Sequence, residues 1–401
     1  MPVILGGDIT AYSLARSFHE RYKIKSLVIS QYRTRIISES SIIENRCNDR
    51  LDTPEVLIDT LVGVGKEFAG KKKLIILGCG DWYVRAIVEH KDILSEYYLI
   101  PYIDLELLDE IVIKNKFYAI CNRLNIDHPK TYVFDCVDGV LPEKLDFEFP
   151  VIAKTANSAK YHYAEFEGKK KVYCFHNRED LETILERIKK SNYNDKFLIQ
   201  ECIPGDDHCM RVLTCYCDQN SKVRFASLGH VLLEDHMPLA IGNPVVIINE
   251  VNNEIVEAAT RFLEDIGYKG YANFDIKYDS RDGKYKFFEI NVRLGRSNFY
   301  VTASGFNTVE RIVDDLVYNK QLEYTVADRE NLFTVVPMGV IKKYCTDKES
   351  VKKAVQLRKN GSWAHPLLYK EDRSFVRDMY VGATLLNYFR KYKNNGWLLN
   401  E

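Results

Sequence analysis

Short apolar runs alternate with segments of helical spacing over the first hundred residues. The apolar runs are Val3–Leu5, Ser26–Ile29, Leu74–Leu77 and Tyr98–Tyr102. Between the first two, Ala11–Tyr22 has the spacing that one buried face of a helix requires. Strands that alternate with helices form parallel sheets covered on both faces, so this part of the chain predicts such a sheet.

Two glycine turns end strands of this predicted sheet. They are Gly6-Gly7-Asp8 and Gly78-Cys79-Gly80-Asp81. Backbone N–H groups at such turns can cradle phosphate, but neither turn has the full G-x-G-x-x-G spacing of a dinucleotide site. Two interpretations are therefore open: a plain turn into a helix, or a substrate-binding position at the carboxyl ends of the strands.

The next segment predicts one long helix from Leu105 to Asn125, in which two lysines stand out. Lys114 falls on the apolar stripe of this helix and Lys116 lies just beside it. A lysine at such a position either snorkels to solvent or faces a cleft. Two apolar strands are predicted at Phe149–Lys154 and Lys196–Cys202, and the first of them ends in a lysine.

Polar and apolar residues alternate in two segments that we predict to form a hairpin. The segments are Asn273–Tyr278 and Phe288–Leu294, and the Asp-Gly pair between them is a strong turn signal. Alternation with a period of two puts Glu289, Asn291 and Arg293 on one face of the second strand. The apolar residues between them then face a core.

The register of this hairpin predicts a cation site. If the turn centres on Asp282, Asp275 lies opposite Glu289, with Cβ atoms roughly 4.5–5.5 Å apart. Two carboxylates at that distance repel each other, and a divalent cation removes the conflict. In the same register Asn273 lies opposite Asn291. Oxygen ligands from Asp275, Glu289 and Asn291 suit Mg²⁺ or Mn²⁺ rather than zinc.

The alternative is an ordinary solvent-facing hairpin whose acids are neutralised by Lys277 and Lys284. The residues that follow argue for a functional site instead. Arg293 is followed by Gly295-Arg296-Ser297-Asn298, which adds a second arginine among small residues. A cation beside two arginines is suited to charge that develops on a transferred phosphoryl group.

After about Asn319 the pattern changes. It predicts a strand at Phe333–Tyr344 and a basic helix at Lys348–Lys359, and the chain is aromatic and basic near Tyr388–Lys393. No catalytic signature occurs in this part. We therefore predict a packing or substrate-shaping extension.

Composition narrows the class of protein. The chain has 401 residues, of which 46% are hydrophobic and 28% charged, with a formal net charge of -1. This size suggests two to four domains, and the charge balance gives no overall attraction to nucleic acid or to an anionic membrane. No apolar run reaches the ~20 residues of a membrane span. Without a secretory signal, the ten scattered cysteines are expected to be reduced thiols in a cytoplasmic protein.

The hairpin resembles the metal-binding signature of ATP-grasp enzymes. The matching residues are Phe274-Asp275 and Phe288-Glu289-Ile290-Asn291-Val292-Arg293. Upstream segments occur in the order typical of that superfamily. Asn115-Lys116 resembles its Asp-Lys pair, and Gln200-Glu201-Cys202-Ile203 resembles the hinge that meets adenine. The resemblance covers about residues 105–307.

The resemblance implies a role for each matching residue. The nucleotide is expected to contact Lys116 (with Lys114 as the alternative), Lys154, Glu201, Ile203 and Asp207 (with His208 as the alternative). The metal ligands are expected to be Asp275, Glu289 and Asn291. Phosphoryl transfer and substrate binding are expected to involve Arg211, Arg293, Arg296 and Ser297. The segment Thr155–His162 takes the place of the mobile lid but lacks its glycines. The general base has only compositional candidates, namely His230, Glu234, Asp235 and His236.

A narrower resemblance, to the D-aspartate ligase family, extends from the N-terminus to about residue 320. It rests on stretches that include Leu5–Asp8, Ala15–Glu20, Gly205–His208, Leu228–His230, Leu233–Asp235, Ala240–Asn243 and Gly295–Ser297. It implies activation of the β-carboxylate of D-aspartate and its attachment to the lysine amine of a peptidoglycan precursor. Two alternatives are an ATP-grasp carboxylate–amine ligase for another peptide-like metabolite or natural product, and a non-catalytic nucleotide-binding protein.

Together these patterns predict an α/β and α+β protein, with an ATP-grasp fold after a Rossmann-like parallel-sheet domain. The expected divisions are 1–104 for the Rossmann-like domain, 105–195 and 196–320 for the two ATP-grasp subdomains, and 321–401 for the extension. The expected cofactors are ATP and Mg²⁺, with Mn²⁺ as the alternative. The expected partners are an amino acid and an amine-bearing peptide, without nucleic acid and without a membrane span.

Overall fold

The computed structural model describes residues 1–156, 161, 164–170, 172–237 and 240–395. Most of the predicted lid, residues 157–160 and 162, lies outside the described residues. The chain forms two units. Unit 1 consists of Met1–Leu108, Asp206–Asp275 and Ile290–Glu401, and unit 2 consists of Asp109–Gly205 and Ile276–Glu289. The predicted four-part division stays a prediction.

Unit 1 begins with the predicted parallel sheet, in the order β3-β2-β1-β4-β5. Its strands are β1 Pro2–Leu5, β2 Ser26–Ser30, β3 Ile43–Cys47, β4 Leu74–Gly78 and β5 Tyr98–Leu99. The helices of this region are α1 Ile9–Tyr22, α2 Arg35–Ser38, α3 Pro54–Phe68, α4 Asp81–Glu89 and α5 Lys91–Leu94. The turns after β1 and β4 lie side by side because these two strands pair in parallel.

Strand β3 is absent from the sequence prediction, which took Leu74–Leu77 as the third strand. The middle of β3 is Glu44-Asn45-Arg46, so it has no apolar run. The strand lies at the edge of the sheet and pairs only with β2. An edge strand is solvated along one side, which permits this polar composition.

The predicted helix from Leu105 to Asn125 is wrong as a single element. The structure has two helices, α6 Leu105–Ile111 and α7 Lys114–Arg123. Ile113 caps the second helix in an extended conformation, with φ −82° and ψ 112°. The preceding Val112 is also β-branched, and such residues favour extended backbone. The break makes Lys114 the first residue of α7.

The second sheet of unit 1 has the order β14-β13-β10-β11-β12-β16-β17, with β15 paired to β11. Its strands are β10 Met210–Cys217, β11 Val223–Glu234, β12 Pro244–Glu250, β13 Gly270–Asp279, β14 Lys284–Asn291, β15 Thr325–Val326, β16 Leu332–Thr334 and β17 Trp363–Ala364. The helices are α9 Asn253–Asp265, α10 Phe299–Ala303, α11 Thr308–Leu316, α12 Met338–Tyr344, α13 Lys348–Lys359 and α14 Phe375–Asn395. Residues 276–289 of β13 and β14 belong to unit 2.

The strand predicted at Phe333–Tyr344 is wrong beyond its first residues. Strand β16 ends at Thr334, and helix α12 begins at Met338 directly after Pro337. Proline fixes φ near the helical value and lacks an N–H, so it suits the start of a helix. The apolar run therefore divides between two elements, which periodicity alone could not show.

Unit 2 contains a four-stranded antiparallel sheet in the order β6-β9-β7-β8. Its strands are β6 Thr131–Asp135, β7 Val151–Thr155, β8 Val172–Phe175 and β9 Lys196–Glu201. Helix α8, Arg178–Lys189, packs its apolar residues into the same core. On β7, Val151, Ala153 and Thr155 are buried, so Lys154 points from the opposite face.

The hairpin turn is confirmed, with one correction. Gly283 has φ 73° and its N–H donates to the carbonyl of Asp279 at 2.9 Å. Only glycine adopts this backbone region readily. Strand β14 ends at Asn291, so Arg293 lies beyond the strand and does not continue its alternating face. The predicted opposition of Asp275 and Glu289 stays a prediction.

The C-terminal extension packs against the first helix of the chain. Asp372 is 1% exposed and accepts hydrogen bonds from the Tyr12 hydroxyl at 2.7 Å, the Ser40 hydroxyl at 2.7 Å and the Ser41 N–H at 2.6 Å. Arg377, also 1% exposed, lies 3.4 Å from Asp372. Burial opposes ionisation of Asp372, but these donors outweigh it, so the pKa of Asp372 lies below its ordinary value.

Arg16 supplies a second attachment for the extension. Its guanidinium donates to the carbonyl oxygens of His365, Pro366 and Leu368 at 2.7–3.1 Å.

All ten cysteines are described and all are free thiols. Within the described residues, no helix is long and apolar enough to cross a membrane.

Candidate active site

Unit 2 brings together two lysines and one carboxylate from three distant segments. Lys114 at the start of α7 donates a hydrogen bond to Glu289 on β14. Lys154 on β7 lies close enough to both residues for electrostatic interaction. The pKa of Lys154 is lowered to about 7, first by burial and then by the charge of nearby Lys114, while Glu289 opposes the shift. A group of anionic oxygens beside Lys154 would favour its charged form.

Lys116, predicted as the first nucleotide lysine, is two residues after Lys114 on α7. Its side chain is exposed on α7, whereas that of Lys114 is half-buried. Positions two apart on a helix point in different directions. The geometry thus groups Lys114, not Lys116, with Lys154 and Glu289. Which lysine contacts the nucleotide stays a prediction.

The predicted adenine hinge is held by hydrogen bonds within unit 2. The Glu201 carboxylate is 8% exposed and accepts from the Lys130 N–H at 2.8 Å and from Arg281 at 2.7 Å. Lys277 donates to the carbonyl of Ile203 at 3.0 Å and to that of Gly205 at 2.7 Å. Lys277 therefore supports the hinge, a contact that the hairpin pattern did not indicate.

In unit 1, Asp207, which was expected to contact the nucleotide, is part of a buried pair. Asp207 accepts from His236 Nε2 at 2.7 Å and from the Glu234 N–H at 2.9 Å, both through Oδ2. His208, the alternative, contacts Asp206 instead. Asp207 and His236 both lie below 9% exposure. One carboxylate oxygen of Asp207 and the Nε2 atom of His236 are therefore engaged in a hydrogen bond with each other.

Arg211 and His230 are adjacent across strands β10 and β11. Arg211 donates through Nε to Glu250 at 2.5 Å. His230 Nε2 lies 2.8 Å from the carbonyl of His208, to which only a protonated ring nitrogen can donate. Burial, followed by the Arg211 charge, lowers the pKa of His230 to about 4, so its ring is neutral near pH 7.

The expected metal ligands Asp275 and Asn291 meet in unit 1, where Asn291 Nδ2 donates to Asp275 Oδ2 at 3.2 Å. Asn273, expected opposite Asn291, accepts from the Thr214 hydroxyl at 3.0 Å. It also lies against Gly295, where an added Cβ would approach the Asn273 amide oxygen to 3.1 Å. Gly295 thus allows the loop after β14 to approach β13 closely.

The two predicted arginines meet carboxylates at the carboxyl ends of the parallel strands. Arg293 forms a bidentate pair with Asp81, at 2.7 and 3.0 Å. Arg296 lies 3.4 Å from Asp8, which also caps helix α1. Ser297 follows in the chain and is buried. The two glycine turns therefore supply acidic partners for the arginines.

Sequence reasoning noted these turns but did not single out Asp8 and Asp81. Both acids directly follow a glycine turn at a strand end, and acids are common at helix N-termini. The available signal was that β1 and β4 could be neighbours, which would bring the two turns together. Their arginine partners could not be identified from spacing, since they lie more than 200 positions later in the chain.

Comparison with known proteins identifies the family. A model for the ATP binding domain of the carbamoyl-phosphate synthase L chain matches residues 242–312. A D-aspartate ligase of Enterococcus faecium (strain Aus0004) is 38% identical over 403 residues, covering 98% of this chain and 96% of the relative.

Solved structures share the fold at low identity. An L-amino acid ligase from Bacillus licheniformis has a TM-score of 0.55 and 16% identity, covering 80% of this chain and 74% of its own. The biotin carboxylase domain of Hydrogenobacter thermophilus 2-oxoglutarate carboxylase, a complex with MgADP, ADP and bicarbonate, has a TM-score of 0.59 and 15% identity, covering 82% and 72%. At sequence identities this low, the similarity to these two structures shows a shared fold and nothing more.

The fold and these matches define an ATP-dependent, carbon–nitrogen bond-forming ligase of the ATP-grasp class. The relative matched over nearly the full length narrows the assignment. The chain belongs to the D-aspartate ligase family. The ATP-grasp fold and the family inferred from the motifs are thereby confirmed.

Proposed function

We propose that this enzyme activates the β-carboxylate of D-aspartate and joins it to the lysine side-chain amine of a peptidoglycan precursor. The observation that carries the proposal is the 38% identity to a D-aspartate ligase over nearly both entire chains. The basic groups described above support it, because a ligase of this kind must bind an amino acid with two carboxylates and a polyphosphate. A cytoplasmic location is supported by the proposed use of ATP and by the ten cysteines, all of which are free thiols.

The reaction that fits these groups has two steps. A carboxylate oxygen of the amino acid attacks the γ-phosphorus of ATP, the bond to the ADP oxygen breaks, and an acyl phosphate forms. The free amine then attacks the acyl carbon, the carbon–oxygen bond breaks, phosphate leaves and the amine loses a proton. Both steps build negative charge on oxygen, which preorganised cations stabilise.

Lys114, Lys154 and the arginines would supply those cations. The Lys114–Lys154 pair is suited to phosphate oxygens, because two neighbouring cations gain from an anion placed beside them. Arg293 would stabilise the transferred phosphoryl group, and Arg296 with Ser297 would orient the substrate carboxylate. Asp81 holds the Arg293 guanidinium by two hydrogen bonds and so limits its orientations.

The donor set of the hairpin fits Mg²⁺. Asp275 and Asn291 touch at 3.2 Å, and Glu289 is two residues before Asn291 on the same strand, so its side chain leaves the same face. All three offer the hard oxygen atoms that Mg²⁺ prefers. When bound there, Mg²⁺ would offset charge on the β- and γ-phosphate oxygens. Lys114 would then share Glu289 with the metal.

The general base for the amine is unassigned among the described residues. His230 uses Nε2 in its bond to the His208 carbonyl, and His236 uses Nε2 in its pair with Asp207. Each imidazole therefore has one nitrogen committed within the protein. An amine already free of its proton needs no such base in the attack step.

A substrate screen tests the proposal. ADP release is measured with D-aspartate, L-aspartate, succinate and other acids, with and without a lysine-bearing muropeptide, and the product is identified by mass. We expect release with D-aspartate, and a hydroxamate when hydroxylamine replaces the amine. Turnover with another acid but not D-aspartate would redirect the proposal to a different carboxylate–amine ligase. If ATP binds but no acid gives turnover, the result would contradict both the D-aspartate proposal and the alternative of a different carboxylate–amine ligase.

A further inference from the structure

The last described helix, α14, carries large apolar side chains on its outward as well as its inward face. The residues buried in unit 1 are Arg377, Val381, Tyr388 and Tyr392. On the outward side Phe375 is 80% exposed, Met379 61% and Leu386 71%. Spacings of four and seven residues align these three along one side of the helix. The large side chains Val376, Tyr380 and Phe389 are also exposed.

Such a surface calls for an explanation. Single exposed apolar residues are ordinary, whereas a continuous apolar patch marks an interaction surface. Surface helices normally place polar residues opposite their buried stripe. The outer side of α14 departs from that rule over most of its length.

Exposed lysines and arginines occur at the end of the same helix and on a helix that contacts it. Residues 338–395 contain thirteen lysines and arginines against five acids, whereas the whole chain has 56 Lys and Arg against 57 Asp and Glu. Arg390 and Lys393 are exposed near the end of α14. Helix α12, which contacts α14, ends with exposed Lys342 and Lys343. The apolar side chains therefore lie on a part of the chain that carries more basic than acidic residues.

Three kinds of partner differ in what they would gain from this combination. A nucleic acid would use the cations but leave Phe375, Met379 and Leu386 in water. A second copy of the chain would bring like charges together across a self-complementary interface. An anionic lipid surface uses both features, because apolar side chains enter the acyl boundary while lysines and arginines face the headgroups.

We propose that α14 docks this enzyme on an anionic lipid surface. Phe375, Met379 and Leu386 enter the interface, and Arg390 and Lys393 meet the anionic headgroups. The helix lies in the plane of the interface, where its buried stripe keeps contact with unit 1. The proposal is independent of the substrates proposed above, since none of these residues belongs to the candidate active site.

Vesicle co-sedimentation of the full-length protein tests this docking. We expect binding to vesicles of phosphatidylglycerol and phosphatidylcholine, at least about tenfold weaker binding to phosphatidylcholine alone, and weakening by salt. The variant F375S/M379S/L386S should bind the mixed vesicles at least about tenfold more weakly. The matched control is V137S/V140S, which changes two valines that are 66% and 78% exposed outside this helix. It should bind like the unaltered protein.

A second variant distinguishes lost lipid binding from misfolding of the triple variant. Arg390 and Lys393 are exposed, so R390E/K393E should keep the melting temperature and still lose binding to the mixed vesicles. The proposal is overturned if the unaltered protein stays in the supernatant with both vesicle types, or if R390E/K393E binds undiminished. It is also overturned if light scattering finds a dimer that F375S/M379S/L386S dissociates while vesicles bind neither protein, because the surface would then join two copies.

Discussion

The ammonium group of Lys114 donates a hydrogen bond to the carboxylate of Glu289, 175 positions later in the chain. The contact joins the first residue of a helix to the second strand of the hairpin. It links a residue proposed to bind phosphate with one proposed to bind metal, so the two functions are expected to depend on each other.

Replacing Lys114 should impair nucleotide use far more than replacing Lys116. We expect K114M to raise the KM for ATP about 10- to 100-fold, because a hydrogen bond to a charged group contributes roughly 1.5–3 kcal/mol. K116M should change it less than about threefold, since that side chain is exposed. Steady-state ADP release measures both. The opposite ranking would assign the nucleotide contact to Lys116, as the motif resemblance implies.

The affinity for ATP should fall as pH rises above 7. Lys154 has a pKa of about 7 without ligand, and bound phosphate oxygens would raise it, so binding takes up a proton. The complex then holds more protons than the free enzyme, and affinity drops by up to about tenfold per pH unit above 7. K154R should remove this dependence, because arginine stays charged. Calorimetry in two buffers at pH 8 would detect the proton; equal heats in both would count against Lys154.

Glu289→Gln should weaken metal-dependent turnover without unfolding the protein. The substitution keeps the size and a hydrogen-bond acceptor for Lys114 but removes the charge that a metal needs. We expect a loss in kcat of roughly 10²-fold or more, a higher Mg²⁺ requirement and an unchanged melting temperature. Exposed Glu257→Gln on α9 is the matched control. Titrations with Mg²⁺ and Mn²⁺ compare the two metals; an unaltered metal requirement would refute the ligand assignment.

The Arg293–Asp81 pair should act as a unit. R293A should lower kcat about 10²- to 10³-fold, the range found for loss of one transition-state donor. D81N keeps a polar partner but loses the charge, so we expect a loss of about tenfold. Because the residues are in direct contact, the double variant should lose less than the product of the two single losses. Fully multiplicative losses would show that Asp81 does not position Arg293.

Asp372→Asn should destabilise unit 1. The carboxylate is buried and accepts hydrogen bonds from Tyr12, Ser40 and Ser41, and breaking a buried charged network costs roughly 3–5 kcal/mol. Its folded pKa is below the ordinary value. The stabilisation is therefore complete above about pH 4 and lost as pH falls through the folded pKa. Denaturant unfolding between pH 3 and 7 measures it; equal acid sensitivity in the variant would count against this network.

Local patterns predicted most elements of the candidate site. The two hairpin strands, the Asp-Gly turn and the apolar strand before Lys154 all appear in the structure, but β14 spans Lys284–Asn291 instead of the predicted Phe288–Leu294. Errors arose where a pattern was ambiguous. The run after Leu332 divides into a strand and a helix at Pro337, and the long helix breaks before Lys114.

Short-range spacing thus specified the parallel sheet, the hairpin and the set of charged residues, because strand and helix periods and turn chemistry depend on neighbours along the chain. The partners of those residues were decided by tertiary packing. Lys114 reaches Glu289, and Arg293 reaches Asp81 across 212 positions, only after separate strands and helices have assembled. A side chain's distance to such a partner depends on where whole elements lie, and spacing within one segment carries no information about that.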